Sequence, residues 1–300
     1  MGRIVLAATI GILAAVPAAL LARRPAPTER QPDCACRLVS LAPHATESLF
    51  ALGAGADVVG VDDYSREPPE ARALPRLGSY IDPDLEGIVA LRPDLVVLAP
   101  AQQALAEQLG RLGLPTQIVP DTRMDDVFVT MERLGGATCR ADAARALVAR
   151  VRREIADAGR TAVGTSPVRA VLVVDRPAGD LRQFYVAGPD NFLSDVLRAA
   201  GADNVFADVP HPFPQVSLEP IVAADPDLIL ELVPGADASV AAARVAVWRQ
   251  VAPGLRAVRT GAIYALRESW LPVPGPAVGR AVRIVAERVD AARRAREQVR

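Results

Sequence analysis

Residues Leu85–Leu98 read LEGIVALRPDLVVL, and residues Leu218–Glu231 read LEPIVAADPDLILE. The shared frame is L-E-x-I-V-A-x-x-P-D-L, and the second copy starts 133 residues after the first. In each copy a short apolar helix pattern runs into Pro-Asp and then into a continuous apolar run. That run is the signature of a strand buried on both faces. A weaker echo pairs APHATESLFALGAGADVVG, from Ala42, with AGPDNFLSDVLRAAGADNVF, from Ala187. Each has a Pro before a helix, a Gly-Ala-rich helix end, then Asp and an apolar stretch. Two echoes in the same order imply two lobes built alike.

The pattern around these echoes alternates strand and helix. In the first half the expected strands are 37–41, 58–61, 95–98 and 117–119. The expected helices are 43–52, ended by Gly53, then 84–91, 101–112 and 125–134. In the second half the strands are 169–174, 228–232 and 262–266, and the helices are 191–200, 220–224 and 277–292. Between the halves, residues 141–158 lack Gly and Pro. They carry an apolar stripe at Ala144, Leu147, Val148, Val151 and Ile155, so they read as one long helix. The fold expected is α/β: two Rossmann-like lobes with mainly parallel sheets, joined by one long rigid helix, with a ligand cleft between them. The expected divisions are residues 37–138 for the first lobe, 139–160 for the connecting helix and 161–292 for the second lobe. Trp248 lies on an expected helix and reads as core.

Composition narrows the chemistry. Net charge is −1, from 34 basic against 35 acidic residues, which excludes a basic nucleic-acid binder. Every basic residue is Arg. The absence of Lys removes P-loop, Schiff-base and kinase-type chemistry. With only His44 and His211, a three-His zinc site is impossible. No GxSxG occurs, and Gly53-Ala-Gly55 follows a helix instead of opening one, so it is no dinucleotide loop. Neither an enzyme nor an intrinsic cofactor nor a protein-held metal is expected.

Residues 1–24 hold an almost unbroken apolar run, Ile4–Leu21, behind Arg3. They read as a secretory signal peptide or, alternatively, an uncleaved N-terminal anchor. Residues 25–36 read as a linker. Of the three cysteines, the tight ring of a C-x-C pair argues against Cys34–Cys36. Cys36 and Cys139 are the candidate disulfide pair, with Cys34 as the other partner open to Cys139.

The stretch from Arg37 through Pro100, which includes DDYSREPP and LPRLGSY, resembles the first lobe of the helical-backbone periplasmic proteins that bind metal chelates for ABC importers. FPQVSLEPIVAADPDLIL and the segment around Trp270 resemble the second lobe, so the resemblance spans about Arg37–Asp290. Within that family the match is best to the cobalamin binders. Haem binders tend to carry a Tyr directly after the Gly of the segment that here reads LGSYIDP, where Ser79 intervenes.

The resemblance implies capture of a corrinoid such as cobalamin, with haem or a ferric siderophore as the alternative cargo. More remote alternatives are a membrane-anchored sensor and a chelatase-like enzyme. The implied partners are a permease dimer with its ATPase subunits, the protein itself being a periplasmic monomer. Tyr64, Tyr80, Phe213 and Trp270, and with them Tyr185, become ligand-binding candidates, because cleft aromatics offer flat apolar area and a polar tip. Glu86 and Glu219, in the same slot of the repeat, become the pair that docks on permease arginines. His44 reads first as a helix-start residue and His211 as a loop residue, each chemically able to ligate the cargo's metal. After Trp270 the run LPVPGPAV departs from the polar groups that known corrinoid binders carry there, which bears on cargo more than on fold.

Overall fold

A computed structural model describes residues 34–160 and 167–298. The expected signal or anchor (1–24) and most of the linker lie outside the described residues. Among the described residues no helix is long and apolar enough to cross a membrane.

In the first lobe β1 (Leu38–Ser40), β2 (Val58–Val61), β3 (Leu95–Leu98) and β4 (Thr116–Ile118) form an all-parallel sheet in the order β2-β1-β3-β4. Helices α1 (Pro43–Ala51), α2 (Leu85–Ala90), α3 (Gln103–Arg111) and α4 (Met124–Ala137) cover it. Side chains alternate across the sheet. Leu38 and Val97 join one core with α1 and α4; Val39, Val96 and Leu98 join another with Ile88, Leu105 and Leu109. Helix α1 stops where expected: Gly53 takes a left-handed φ of 78°, its N–H meets the Phe50 carbonyl, and the Ala54 N–H meets that of Leu49.

Helix α5 (Ala141–Gly159) then runs about 28 Å, buries Ala144, Leu147, Val148 and Val151, and packs between α4 and the terminal helix α10 (Val278–Gln298). In the second lobe come β5 (Val168–Asp175), β6 (Phe184–Val186), α6 (Phe192–Ala199), β7 (Ala202–Asn204) and β8 (Gln215–Val216). They are followed by α7 (Leu218–Ala224), β9 (Leu228–Leu232), α8 (Ala238–Val251), α9 (Arg256–Arg259) and β10 (Ile263–Leu266). Strands β10, β9 and β5 are parallel, while β6 and β8 add an antiparallel arm that the sequence pattern did not announce. One apolar core runs through α4, α5 and α10 and joins the two lobes.

The repeat has a physical basis. Asp94 accepts the N–H groups of Cys36 and Arg37 at 3.1 and 2.9 Å, and its own N–H donates to the Arg37 carbonyl. Asp227 accepts the Arg169 N–H at 3.1 Å and donates to the Arg169 carbonyl. In each lobe the Asp of Pro-Asp-Leu thus ties the start of one central strand to the start of its neighbour. Ile88 and Ile221, three residues into each copy, are fully buried.

The disulfide joins Cys34, not Cys36, to Cys139, with Cα atoms 5.4 Å apart, which corrects the expected pairing. The Ala35 N–H bonds to the Ala137 carbonyl and lays Cys34 beside the α4–α5 turn. The backbone of Cys36 is held by Asp94 at the foot of β1, and its free, exposed thiol donates to the Cys34 carbonyl at 3.1 Å.

Candidate ligand cleft

The C-terminal edges of the parallel strands carry the loops on which ligands bind in open α/β sheets. In the first lobe the loop after β2 holds both tyrosines. The Asp62 carboxylate accepts the Ser65 N–H at 2.6 Å, and Arg76 donates to the carbonyls of Asp62 and Ser65 at 2.7 and 2.8 Å. Ser65 is further pinned to Thr46, so Tyr64 projects from a fastened turn with 60% of its surface exposed. Burial pushes the Asp62 carboxyl up from its ordinary range, against the pull of the Ser65 and Tyr64 groups and the Arg76 charge. The Asp63 N–H donates to the Gly78 carbonyl, which brings the Tyr80 loop alongside. Gly78 has φ +82°, and a Cβ there would collide with the Asp82 carbonyl. Tyr80 is 41% exposed; partial burial and the charge of Asp121 raise its phenol above the ordinary value.

In the second lobe Tyr185 stands on β6 opposite Gln215, facing outward while Phe184 and Val186 face the core. Phe213 lies two residues before Gln215 on the partnering segment, a diagonal neighbour of Tyr185 across the ribbon. The segment is fixed by Asn191, whose side-chain amide donates to the Gly188 and Pro212 carbonyls. His211 is exposed, and its Nδ1 accepts the Phe213 N–H at 3.0 Å.

Trp270 sits elsewhere. It forms part of the wall of a cavity of about 1200 Å³, and the Arg280 guanidinium covers one face of its ring at 4.2 Å. None of Tyr64, Tyr80, Tyr185 or Phe213 lines this cavity. The five aromatics therefore divide into four exposed ones outside the chamber, on loops and on β6, and one in the chamber wall. The chamber contains a residue the sequence reading overlooked. Glu47, on α1, is held at about 8 by burial and by the neighbouring Glu67 charge, with Arg280 opposing. Its carboxyl lies against Gly275 of the LPVPGPAV loop. The signal available was a carboxylate three and four residues before Phe50 and Ala51 on the same helix. The lobes also touch in the chamber wall, where the Ser269 hydroxyl donates to Glu67 at 3.1 Å.

His44 is buried at 4% exposure and does not cap α1. Burial lowers its pKa to about 4, against a hydrogen bond with the Val119 backbone and the Asp126 charge, and its Nε2 has no partner among the described residues. Glu86 and Glu219 are both exposed in the first turns of α2 and α7, one per lobe, each followed three residues later by an exposed valine, Val89 and Val222. Among the described residues no group of three or more His, Cys, Asp or Glu side chains is arranged to hold a metal ion.

Two α/β lobes bridged by one helix, with aromatic loops at the strand ends, define a solute-binding protein of the cleft type. The chain belongs to the periplasmic binding protein family, whose model matches residues 38–269. It is a binding protein and not an enzyme. A vitamin B12-binding protein of Vibrio cholerae serotype O1 is 29% identical over 249 residues, covering 82% of this chain and 86% of that protein. Among solved structures, the periplasmic vitamin B12 binding protein BtuF of Vibrio cholerae superposes with a TM-score of 0.75 at 28% identity, covering 87% of this chain and 98% of that one. The apo form of the periplasmic heme-binding protein RhuT from Roseiflexus sp. RS-1 superposes with a TM-score of 0.73 at 30% identity, covering 85% and 98%.

Proposed function

We propose that this protein is exported to the periplasm, captures a corrinoid between its lobes, and delivers it to an ABC importer. The observation that carries the reading is the set of exposed aromatics, Tyr64 and Tyr80 on one lobe and Tyr185 and Phe213 on the other, at the strand ends where such folds bind ligand. Similarity to vitamin B12-binding proteins over more than four-fifths of the chain supports the choice of cargo. Haem is the second reading, favoured by the likeness to RhuT.

Delivery rests on Glu86 and Glu219. Two exposed acids, duplicated by the repeat, suit a permease dimer with two equivalent basic pockets. ATPase subunits belong to that partner, and the binding protein acts as a monomer. The lobes so used are residues 37–138 and 161–292, joined by 139–160, and the leader is 1–24, removed or retained as a tether.

The test is titration of the purified mature protein with cyanocobalamin and with hemin, followed by tryptophan fluorescence corrected for inner-filter absorption. Saturable binding of cyanocobalamin alone supports the corrinoid reading. Binding of hemin alone replaces the cargo, and binding of neither removes both.

A further inference from the structure

We propose that Asp190 is a specificity-determining residue: it fills the open side of an anion receptor between the lobes and so bars the carboxylate arms of a metal chelate from the cleft. The inference rests on the corrinoid reading, because corrinoid arms are neutral amides whereas haem carries carboxylates.

The receptor is built from both lobes. Helices α4 and α6 begin here, at Met124 and Phe192, and a helix start gathers unpaired N–H groups and a positive field. The Arg123 guanidinium reaches from the first start to the second. Such a place takes a carboxylate readily, and the protein supplies its own. Asp195, whose side chain is 10% exposed, accepts from Arg123 Nε at 2.8 Å, from Nη2 at 2.9 Å and from the Met124 N–H at 3.0 Å. Arg198 adds a fourth partner to that carboxylate at 3.0 Å. Asp126 takes the N–H groups of Thr122 and Arg123, and Asn191 takes that of Ser194. The remaining edge of the guanidinium is Nη1, and among the described residues Asp190 covers it, at 2.6 Å.

Asp190 differs from Asp195 in two respects. Its side chain is 80% exposed, so a guest reaches the pair from that side. Its φ is 52°, a left-handed backbone that glycine or asparagine adopts more easily. An ion pair so exposed adds little to stability, and the backbone gains nothing from an aspartate. A residue kept against its backbone preference points to a task for its carboxylate.

The pair stands between the two sets of aromatics. Asp121, two residues before Arg123, acts by its charge on the Tyr80 phenol. On the other lobe Asn191, next to Asp190, donates to the Pro212 carbonyl at 2.7 Å and so holds the residue before Phe213. A macrocycle lying between Tyr80 and Phe213 therefore turns its rim toward Asp190 and Arg123. The two segments that meet there, 121–126 and 190–198, carry five aspartates and two arginines. A carboxylate arm finds the Arg123 donors taken and an excess of like charge. A primary amide arm is not repelled, and its N–H groups have the Asp190 carboxylate as an acceptor.

The test titrates the full mature protein and its Asp190→Gly and Asp190→Asn variants with cyanocobalamin and with the dicyano form of cobyrinic acid, which carries carboxylates on a corrin ring. Glycine suits the left-handed backbone and empties the Nη1 edge; asparagine keeps the shape and removes the charge. Melting curves check that each variant is folded. Asp190→Gly should tighten cobyrinic acid binding about three- to fivefold, the worth of one exposed ion pair, with a smaller gain for Asp190→Asn. Cyanocobalamin binding should not tighten in either. The gain should shrink as salt rises from about 50 mM to about 500 mM. Unchanged cobyrinic acid affinity in both variants overturns the proposal, as does an equal gain for cyanocobalamin or a gain indifferent to salt. If the wild type binds hemin in preference to cyanocobalamin, or binds neither, the corrinoid reading falls and this inference falls with it. Cyanocobalamin binding by the wild type with no gain in the variants removes the Asp190 assignment alone.

Discussion

Arg123 of the first lobe grips Asp195 of the second at two points, Nε to Oδ2 at 2.8 Å and Nη2 to Oδ1 at 2.9 Å. The Met124 N–H adds a third bond to the same carboxylate, and Arg123 Nη1 reaches Asp190 at 2.6 Å. Burial pushes the Asp195 carboxyl up, but the Arg123 and Met124 bonds, with the charges of Arg123 and Arg198, outweigh it and hold the group below the usual carboxylate range. Asp195→Asn should lower stability by about 1–2 kcal/mol, reduced from the buried-pair figure because Arg123 is partly exposed. A depressed pKa stabilises above the unfolded value and is lost as pH falls through the folded one. The gap between variant and wild type in thermal melts should therefore be full at pH 7 and close toward pH 2–3; a gap that is constant with pH would refute the assignment.

Inside the second lobe, the fully buried Glu231 carboxylate accepts from Arg176 at 3.0 Å and Trp248 Nε1 at 2.9 Å and lies 2.5 Å from Arg244 Nε. Glu231→Gln leaves two guanidiniums without their shared anion. The expected cost is about 3–5 kcal/mol, read from urea unfolding curves. Arg244→Met, which removes only the more exposed cation, should cost less.

Two buried groups give stability opposite slopes in pH. His44, lowered to about 4, stays neutral in the folded state, so stability is full above about 6.5 and declines by up to roughly 3 kcal/mol as pH falls toward 4. Glu47, raised to about 8, binds a proton more tightly when folded, so its contribution is full at low pH and lost as pH rises from about 4.5 to 8. Denaturation midpoints across pH 4–9 should show His44→Leu losing the acid-side decline and Glu47→Gln losing the alkaline-side one.

Truncating any of Tyr64, Tyr80, Tyr185 or Phe213 to Ala should weaken cyanocobalamin binding by about three- to tenfold, the worth of one aromatic face. Trp248→Phe, remote in the core, should leave affinity unchanged while lowering the melting temperature. Calorimetric titration checks both. Undiminished affinity in all four aromatic variants would locate the ligand elsewhere.

The repeat made the lobes legible, because Pro-Asp-Leu does the same work twice: Asp94 and Asp227 each fasten the foot of a central strand. Strands β2, β3 and β9 lie at the expected residues, since continuous apolar runs between turn signals leave little freedom. The antiparallel arm was invisible because β6 and β8 are three and two residues long, too short for any period to show. The chamber was invisible for another reason. Its acids and arginines come from five separate elements and meet only through the packing of α1, α5 and α10. The choice between Cys34 and Cys36 turned on a single backbone bond, Ala35 to Ala137, that no spacing rule contains.

The free thiol of Cys36 stands at the foot of β1, and in a parallel sheet every strand foot lies on one edge, opposite the loops that bear Tyr64 and Tyr80. The chain has no other free thiol and no lysine amine. A maleimide reagent thus has one address, on the side turned away from the proposed ligand, and an amine-reactive reagent has only the chain terminus. The molecule comes ready for oriented attachment to a surface or for a single reporter dye, with no residue added or removed.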